Sequence, residues 1–117
     1  MRIDNAYFLD MLIAARKIQR FVGGMRETEF NLSDLHQSAV LRELQVIGEA
    51  ARLVSDEARN STPQVPWQII AGLRNRIIHE YFRVNVSIVW QTVSENIPVL
   101  IKELELLLPP PEDSDID

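Results

Sequence analysis

Apolar residues recur every three or four positions along most of the chain, the spacing that places them on one face of an α-helix. No segment alternates between apolar and polar residues as a half-buried β-strand does. The first helix is predicted from about Asp4 to Val22, and Gly23-Gly24 ends it. Its apolar face consists of Phe8, Leu12, Ala15, Ile18 and Val22.

A second long helix is predicted after a connection that covers residues 25–31. Ser33 or Asp34 is its candidate N-cap, because a side-chain oxygen there can accept a hydrogen bond from a free N–H of the first turn. Its apolar seam consists of Val40, Leu44, Ile47, Ala51 and Val54.

Two more helices follow the loop at residues 60–66. Pro66 suits the first turn of the third helix, and Asn85 is the candidate cap of the fourth. Pro98 should kink or split the fourth helix, because proline lacks a backbone N–H and crowds the preceding turn.

Short links between long amphipathic helices predict an all-α fold, an antiparallel up-and-down bundle of four to five helices. The length of 117 residues suits one compact domain, which we assign to residues 1–108. Residues 109–117, PPPEDSDID, are predicted to be a disordered acidic tail.

Composition and charge exclude several function classes. The chain has no cysteine, so a disulfide framework, a thiolate zinc site and a catalytic cysteine are all excluded. Charged residues interrupt the N-terminal helix, so neither a signal peptide nor a membrane span is expected there, and we expect a cytoplasmic protein.

The net charge of −5 argues against a protein that coats nucleic acid through bulk electrostatics. Four of the acids lie in the last six residues, and without them the rest of the chain carries only −1. Residues 66–83 carry three arginines against Glu80 alone, which makes a local basic patch on a nearly neutral domain.

The third helix has two apolar faces on a wheel of about 100° per residue. One is the predicted core face, made of Ile69, Ile70, Leu73 and Ile77. The other lies nearly opposite and consists of Trp67, Ala71, Ile78 and Phe82, which we call the seam. A monomer would leave the seam in water, so we expect a two-fold homodimer that packs third helices together or close to one another.

Four polar residues, Arg74, Asn75, His79 and Tyr81, border the seam. Arg74 and His79 are five residues apart, so on a straight helix they point about 140° from each other. Three arrangements remain open: the helix ends or bends near His79, the long arginine reaches across, or each half of a dimer supplies part of one site.

These residue types suit phosphodiester cleavage. Two His79 imidazoles across a two-fold axis can act as general base and general acid, since an imidazole pKa near 6.5 allows either form. Arg74 offers a planar charged fork for phosphate, and Asn75, one turn before His79, can orient the ring. The reaction would be attack by an RNA 2′-hydroxyl that yields a 2′,3′-cyclic phosphate, with no metal or cofactor.

Less specific interpretations exist for each of these residues. A polar helix face with arginine, asparagine, histidine and tyrosine is common, and on spacing alone it is the more frequent case. His36 is interpreted as a surface or capping residue. Trp67 and Trp90 are interpreted as packing residues, and Glu49 as a solvated or interface carboxylate that could also help to shape the site.

The pattern R-x-x-x-x-H-x-Y, present as Arg74, His79 and Tyr81, resembles the signature of HepT toxins in the HEPN superfamily. The similarity extends through 46-VIGEAARLVSDEAR-59, residues 65–93 and 97-IPVLIKEL-104. It implies a dimeric helical bundle with a metal-independent endoribonuclease site at the dimer interface. Arg74 and His79 map onto the family's catalytic pair, and Asn75 onto the polar position after the arginine.

The resemblance also implies a toxin–antitoxin system. The expected partner is an MntA-like minimal nucleotidyltransferase antitoxin, which transfers AMP from ATP to the motif tyrosine, here Tyr81; the expected substrate is transfer or messenger RNA. The alternative hypothesis is a non-catalytic helical subunit that presents RNA or nucleotide to a nucleotidyltransferase. A third hypothesis gives the motif residues a purely structural role in the interface.

Overall fold

The computed structural model describes residues 2–79 and 85–109, and it describes only the backbone of Arg2 and of residues 74–79. All regular secondary structure in these ranges is helical, which confirms the all-α prediction. The elements are α1 Arg2–Val22, α2 Glu27–Asn31, α3 Asp34–Leu53, α4 Asp56–Asn60, α5 Trp67–His79, α6 Val86–Gln91, a π-helical turn Thr92–Asn96 and α7 Ile97–Leu107.

The helices α1, α3 and α5 alternate in direction. The start of α1 contacts the end of α3, because Asp4 bonds to Ser55 just after α3. Trp67 at the start of α5 packs near Phe8, which lies in the first half of α1. Because α5 also packs along α3, it runs antiparallel to α3 and in the same direction as α1. An ion pair of 2.7 Å between Arg16 and Glu105 joins α1 to α7. The described helices therefore form an all-α bundle in which α1, α3 and α5 follow the predicted up-and-down order.

Local sequence signals set the helix ends as predicted. Ser33 is the N-cap of α3, and its Oγ accepts a hydrogen bond from the backbone N–H of His36 at 3.2 Å. The Asn85 Oδ1 accepts from the backbone N–H groups of Ser87 and Ile88 at 3.0 and 3.3 Å and caps α6. After α1, Gly24 has a φ of 76°, a conformation that glycine adopts without the steric cost other residues pay.

The last helix is split near Pro98, as predicted, but the irregular turn comes before the proline. Ile97 donates its backbone N–H to the carbonyl of Thr92, five residues back, in place of the usual four. Pro98 lies in the first turn of α7, where a missing N–H costs least. The hydroxyl of the buried Thr92 donates to the carbonyl of Ile88 at 2.8 Å, next to the irregular turn.

The predicted apolar faces of α1 and α3 form the core. Fully buried side chains in these helices include Met11, Ile18, Val40 and Ile47, and α7 adds Leu100 and Leu104. Phe30 of the short α2 is also fully buried and closes one end of the bundle against Trp90, with ring centroids 5.2 Å apart.

Two findings modify the predicted fold. The four predicted helices are all present, and the two short helices α2 and α4 join them. Ile69 was assigned to the core face of α5, but its side chain is 46% exposed. Apart from Pro109, the predicted acidic tail lies outside the described residues. None of the helices in the described ranges is long and apolar enough to cross a membrane.

Candidate functional site

The helix α5 carries Arg74, Asn75, Ile78 and His79. Its buried side is set by Ile70 and Leu73, which pack into the core of the bundle. These two residues also line a narrow crevice between α3, α5 and α7. The crevice has a cavity volume of about 10 Å³, room for about one water molecule, so it holds no ligand of nucleotide size.

The core face of α5 is narrower than the sequence predicts. Ile69 lines the rim of the crevice and is exposed instead of buried in the core. The buried side is therefore centred on Ile70 and Leu73.

The opposite side of α5 faces solvent over its first turns. Gln68, Ala71 and Gly72 are all exposed. Ala71 belongs to the predicted seam, and Ile78 follows it by two helical turns. Phe82, the last seam residue, and Tyr81 lie outside the described residues.

Trp67 packs mainly within its own chain. Its ring centroid lies 6.3 Å from that of Phe8, and its Nε1 donates to the carbonyl oxygen of Thr62 at 3.0 Å. The packing interpretation of Trp67 is therefore confirmed, and only the uncovered part of the half-buried indole is available to the seam. Trp90 likewise packs against Phe30, as predicted.

The backbone of α5 is helical from Trp67 through His79, so no helix break lies between Arg74 and His79. Five residues of unbroken helix separate the two positions by about 7.5 Å along the axis and about 140° around it. Of the three arrangements considered from the sequence, a helix that ends or bends near His79 is excluded only for the residues before His79, where the described part of α5 ends. A long arginine reach and a composite site remain.

The second histidine has a local structural role. The Nδ1 of His36 lies 2.6 Å from the hydroxyl of Ser33, the residue that caps α3. His36 is therefore part of the N-cap arrangement of α3, which agrees with its interpretation as a surface or capping residue.

Asp4 and Ser55 form a contact that the sequence did not indicate. The backbone N–H of Ser55 donates to Oδ1 of Asp4 at 2.9 Å, and its hydroxyl donates to Oδ2 at 2.8 Å. These two hydrogen bonds, the backbone one foremost, hold the pKa of the Asp4 carboxyl below its ordinary value of 3.8. Ser55 also caps α4, since its Oγ accepts from the N–H of Ala58 at 3.1 Å.

Arg59 was also not predicted. Its Nη2 donates to the carbonyl of Val54 at 3.0 Å, and its Cζ lies 6.0 Å from the centroid of the Trp67 ring. A serine followed by two acids at residues 55–57 is a recognisable helix start and could have revealed α4. No signal in the sequence pairs Arg59 with Trp67.

The exposed surface of α3 carries charge of both signs. On α3, Arg52 donates to Glu49 at 3.2 Å, with both side chains about half exposed. An open groove of about 340 Å³ between α1 and α3 is lined partly by Asp10, Arg42 and Glu49. Among the described side chains, no group of three or more histidine, cysteine, aspartate or glutamate residues is placed to hold a metal ion.

Comparison with known families gives this geometry a context. A family model described as "Ribonuclease HepT-like" matches residues 11–107, which span all of α5 and the motif around it. The chain belongs to the HepT-like ribonuclease family. The resemblance inferred from Arg74, His79 and Tyr81 is therefore confirmed at the level of the family.

Individual relatives align over nearly the whole HepT-like chain. It is 35% identical to a protein named "Probable ribonuclease HepT" from Thermococcus cleftensis, over 91% of this chain and 96% of that protein. It is similar to two proteins of Methanocaldococcus jannaschii whose names give them as candidate RNases. One is 38% identical over 95% of this chain and 92% of that protein. The other is 35% identical over 88% of this chain and 94% of that protein. No solved structure matches the chain significantly.

Proposed function

We propose that this HepT-like protein is a metal-independent endoribonuclease, the toxin component of a toxin–antitoxin system, and that it acts in the cytoplasm. The observation that carries the proposal is the R-x-x-x-x-H-x-Y pattern, which lies within the matched part of a ribonuclease family and starts on α5. Membership of the family supports RNA cleavage as the reaction. The local basic patch around Arg74 supports a polyanionic substrate.

The active site in this proposal is composite and forms between two copies of the chain. Two observations support it. The side of α5 that carries Ala71 is exposed, whereas Ile70 and Leu73 on the other side are buried. The helix is also unbroken between Arg74 and His79, so one α5 does not bring the two residues together on one face. A two-fold axis near the seam would place Arg74 and His79 of both copies around one cleft.

The proposed chemistry follows from the residue types. One His79 imidazole accepts the proton of the ribose 2′-hydroxyl, whose oxygen attacks the adjacent phosphorus. The P–O5′ bond breaks, and the second His79, as imidazolium, protonates the departing 5′-oxygen. Arg74 stabilises the negative charge that grows on the phosphoryl oxygens, and Asn75 orients His79. The products are a 2′,3′-cyclic phosphate and a 5′-hydroxyl.

The proposed off switch is AMP transfer to Tyr81. An MntA-like nucleotidyltransferase antitoxin would join the tyrosine oxygen to the α-phosphorus of ATP and release pyrophosphate. The resulting phosphodiester would lie within reach of Arg74, seven residues earlier and therefore on the same helical face if the helix continues. The attached nucleotide would occupy the place of RNA phosphate.

Purified protein tests the nuclease proposal. We expect wild type to cleave RNA in excess EDTA and to leave 2′,3′-cyclic phosphate ends. Arg74→Ala and His79→Ala should each lose at least about 100-fold in rate, because each removes a group that acts in the transition state. Dimer content should stay unchanged in both variants.

The same assay can refute the proposal. No cleavage by pure wild type, together with retained binding of a nucleotidyltransferase, would favour the non-catalytic subunit instead. Normal RNA affinity and cleavage in both variants would leave the motif with a structural role only.

A further inference from the structure

The short helix α4 and the loop that follows it form a polar clamp at the base of α5. Ser55 caps α4 and is held by Asp4 of α1 through two hydrogen bonds. At the other end of α4, the buried hydroxyl of Thr62 donates to the carbonyl of Ala58 at 2.8 Å. The clamp is therefore tied to the bundle before the chain enters α5.

Arg59 links the end of α3 to the start of α5. Its Nη2 donates to the carbonyl oxygens of Val54 at 3.0 Å and Arg52 at 3.4 Å, which are free because α3 ends there. The guanidinium carbon lies 6.0 Å from the ring centroid of Trp67, within the range of a cation–π contact. One planar side chain thus contacts both helices.

The position of this guanidinium is constrained. Its Nε is buried and bonds to no atom of the described chain. A buried N–H without a protein partner is unfavourable, so the carbonyl and ring contacts must hold the group where it lies. The guanidinium of Arg59 is therefore held in one place, unlike that of an arginine that extends freely into solvent.

Trp67 is the first residue of α5, so its contact with Arg59 links the position of the guanidinium to the position of this helix. Its Nε1 donates to the carbonyl of Thr62 at 3.0 Å and to Oγ1 of Thr62 at 3.3 Å, and its ring packs against Phe8. The indole is thus fixed on three sides. Arg74 follows seven residues later, two turns along the same continuous helix.

We infer that Arg59 is a positioning residue for RNA cleavage, which acts through Trp67 to set where α5 lies against α3. The inference rests on the proposed nuclease function. A helix is stiff over a few turns, so a shift or rotation at Trp67 moves Arg74, about two turns later, and His79, about three turns later, by a similar amount. A displacement of about 1 Å at reacting groups can lower a rate by about 100-fold.

Arg59→Ala and Arg16→Ala form a matched pair for the test. Each variant loses an arginine with side-chain hydrogen bonds, but Arg16 bonds to Glu105 of α7, away from the clamp. At a temperature well below both unfolding transitions, we expect kcat of Arg59→Ala to fall about 10-fold or more, with KM changed less than kcat. Arg16→Ala should keep kcat within about twofold of wild type.

Two conservative variants extend the test. Arg59→Lys keeps the charge near Trp67 but not the planar fork, so it should recover part of the lost kcat. Thr62→Val removes one acceptor of the Trp67 N–H and should lower kcat in the same direction, with fluorescence of Trp67 shifted in a Trp90→Phe background. If Arg59→Ala does not fold, these two variants decide in its place.

Amide hydrogen exchange separates this inference from the proposed function. Exchange at Ile70 and Leu73 of α5 should be faster in Arg59→Ala and unchanged in Arg16→Ala, whether or not RNA is cleaved. Inactive wild type would refute the nuclease proposal, and with it any positioning of catalysis. Active wild type with undiminished kcat in Arg59→Ala, or an equal loss in Arg16→Ala, would refute the role of Arg59 alone.

Discussion

Asp4 near the start of α1 binds Ser55 through both carboxylate oxygens, across 51 residues of sequence. Oδ1 accepts the backbone N–H of Ser55 and Oδ2 accepts its hydroxyl. The contact ties the first helix to the N-cap of α4, and it lowers the pKa of the Asp4 carboxyl.

This contact predicts an acid-sensitive contribution to stability. A carboxyl whose pKa is lower in the folded state stabilises the fold above its unfolded pKa, and the contribution is lost as pH falls through the folded value. The loss should therefore begin near pH 3.8 and continue below it. In urea unfolding, the free-energy gap between wild type and Asp4→Asn should be largest at pH 6 and shrink as the pH falls below 3.8. A gap independent of pH would contradict this assignment.

The N-cap of α3 predicts a second stability effect. Ser33→Ala removes the hydroxyl that accepts the His36 N–H, and it should lower the free energy of unfolding by about 1 kcal/mol. Ser38→Ala, at an exposed position inside the same helix, is the matched control and should change it by less than about 0.5 kcal/mol. Chemical denaturation measures both, and equal effects would exclude a special role for the cap.

The seam on α5 predicts that the protein forms a homodimer through this surface. Ala71 is exposed on α5, so Ala71→Arg should not disturb the folded chain but should introduce a charge into the proposed interface. We expect the dimer dissociation constant to rise at least about 100-fold in sedimentation experiments, with loss of RNA cleavage. Ala6→Arg, at an exposed position of α1, should leave both unchanged. A wild type that sediments only as monomer at micromolar concentration would refute the seam.

Mixed dimers test whether one site uses both copies of His79. If it does, a dimer with one His79→Ala chain is inactive, and activity falls with the square of the wild-type fraction. Coexpression of wild-type and His79→Ala chains in equal amounts should then leave about a quarter of the activity of the same amount of wild-type dimer. If each site needs only one histidine, about half should remain. Cleavage assays across several mixing ratios distinguish the two curves.

Tyr81 is the expected acceptor of AMP. Tyr81→Phe lacks only the hydroxyl oxygen to which AMP would be joined, so we expect RNA cleavage within a few-fold of wild type. The variant should resist neutralisation by the catalytically competent antitoxin, and mass spectrometry should find no AMP adduct. Wild type treated with an antitoxin unable to bind ATP is the control. Continued neutralisation of Tyr81→Phe by AMP transfer would place the acceptor elsewhere.

Much of the fold could be read from the sequence because helix formation depends on short-range interactions. The apolar faces of α1 and α3 follow from a period of three to four residues, and the caps at Ser33 and Asn85 bond only to residues two or three positions later. The irregular turn before Pro98 also follows from local chemistry, since proline lacks the N–H that a regular helix needs there.

The candidate site was only partly predictable. The residue types and their spacing predicted RNA cleavage by Arg74 and His79, and the family match confirms that the chain belongs to a ribonuclease family. Neither spacing nor helical period identifies the contact of Arg59 with Trp67. It depends on where the end of α3 lies relative to the start of α5.

The sequence by itself determined the four main helices and the caps at Ser33 and Asn85, because these depend on neighbours within one or two turns. It also predicted the residues proposed to carry the reaction. Tertiary structure decided the rest: that Asp4 would reach Ser55, that Ile69 would lie at a rim and that Trp67 would pack under Arg59. Those outcomes depend on how helices far apart in sequence pack against each other. Packing is settled by the shapes of all the contacting faces together, which no single helix specifies.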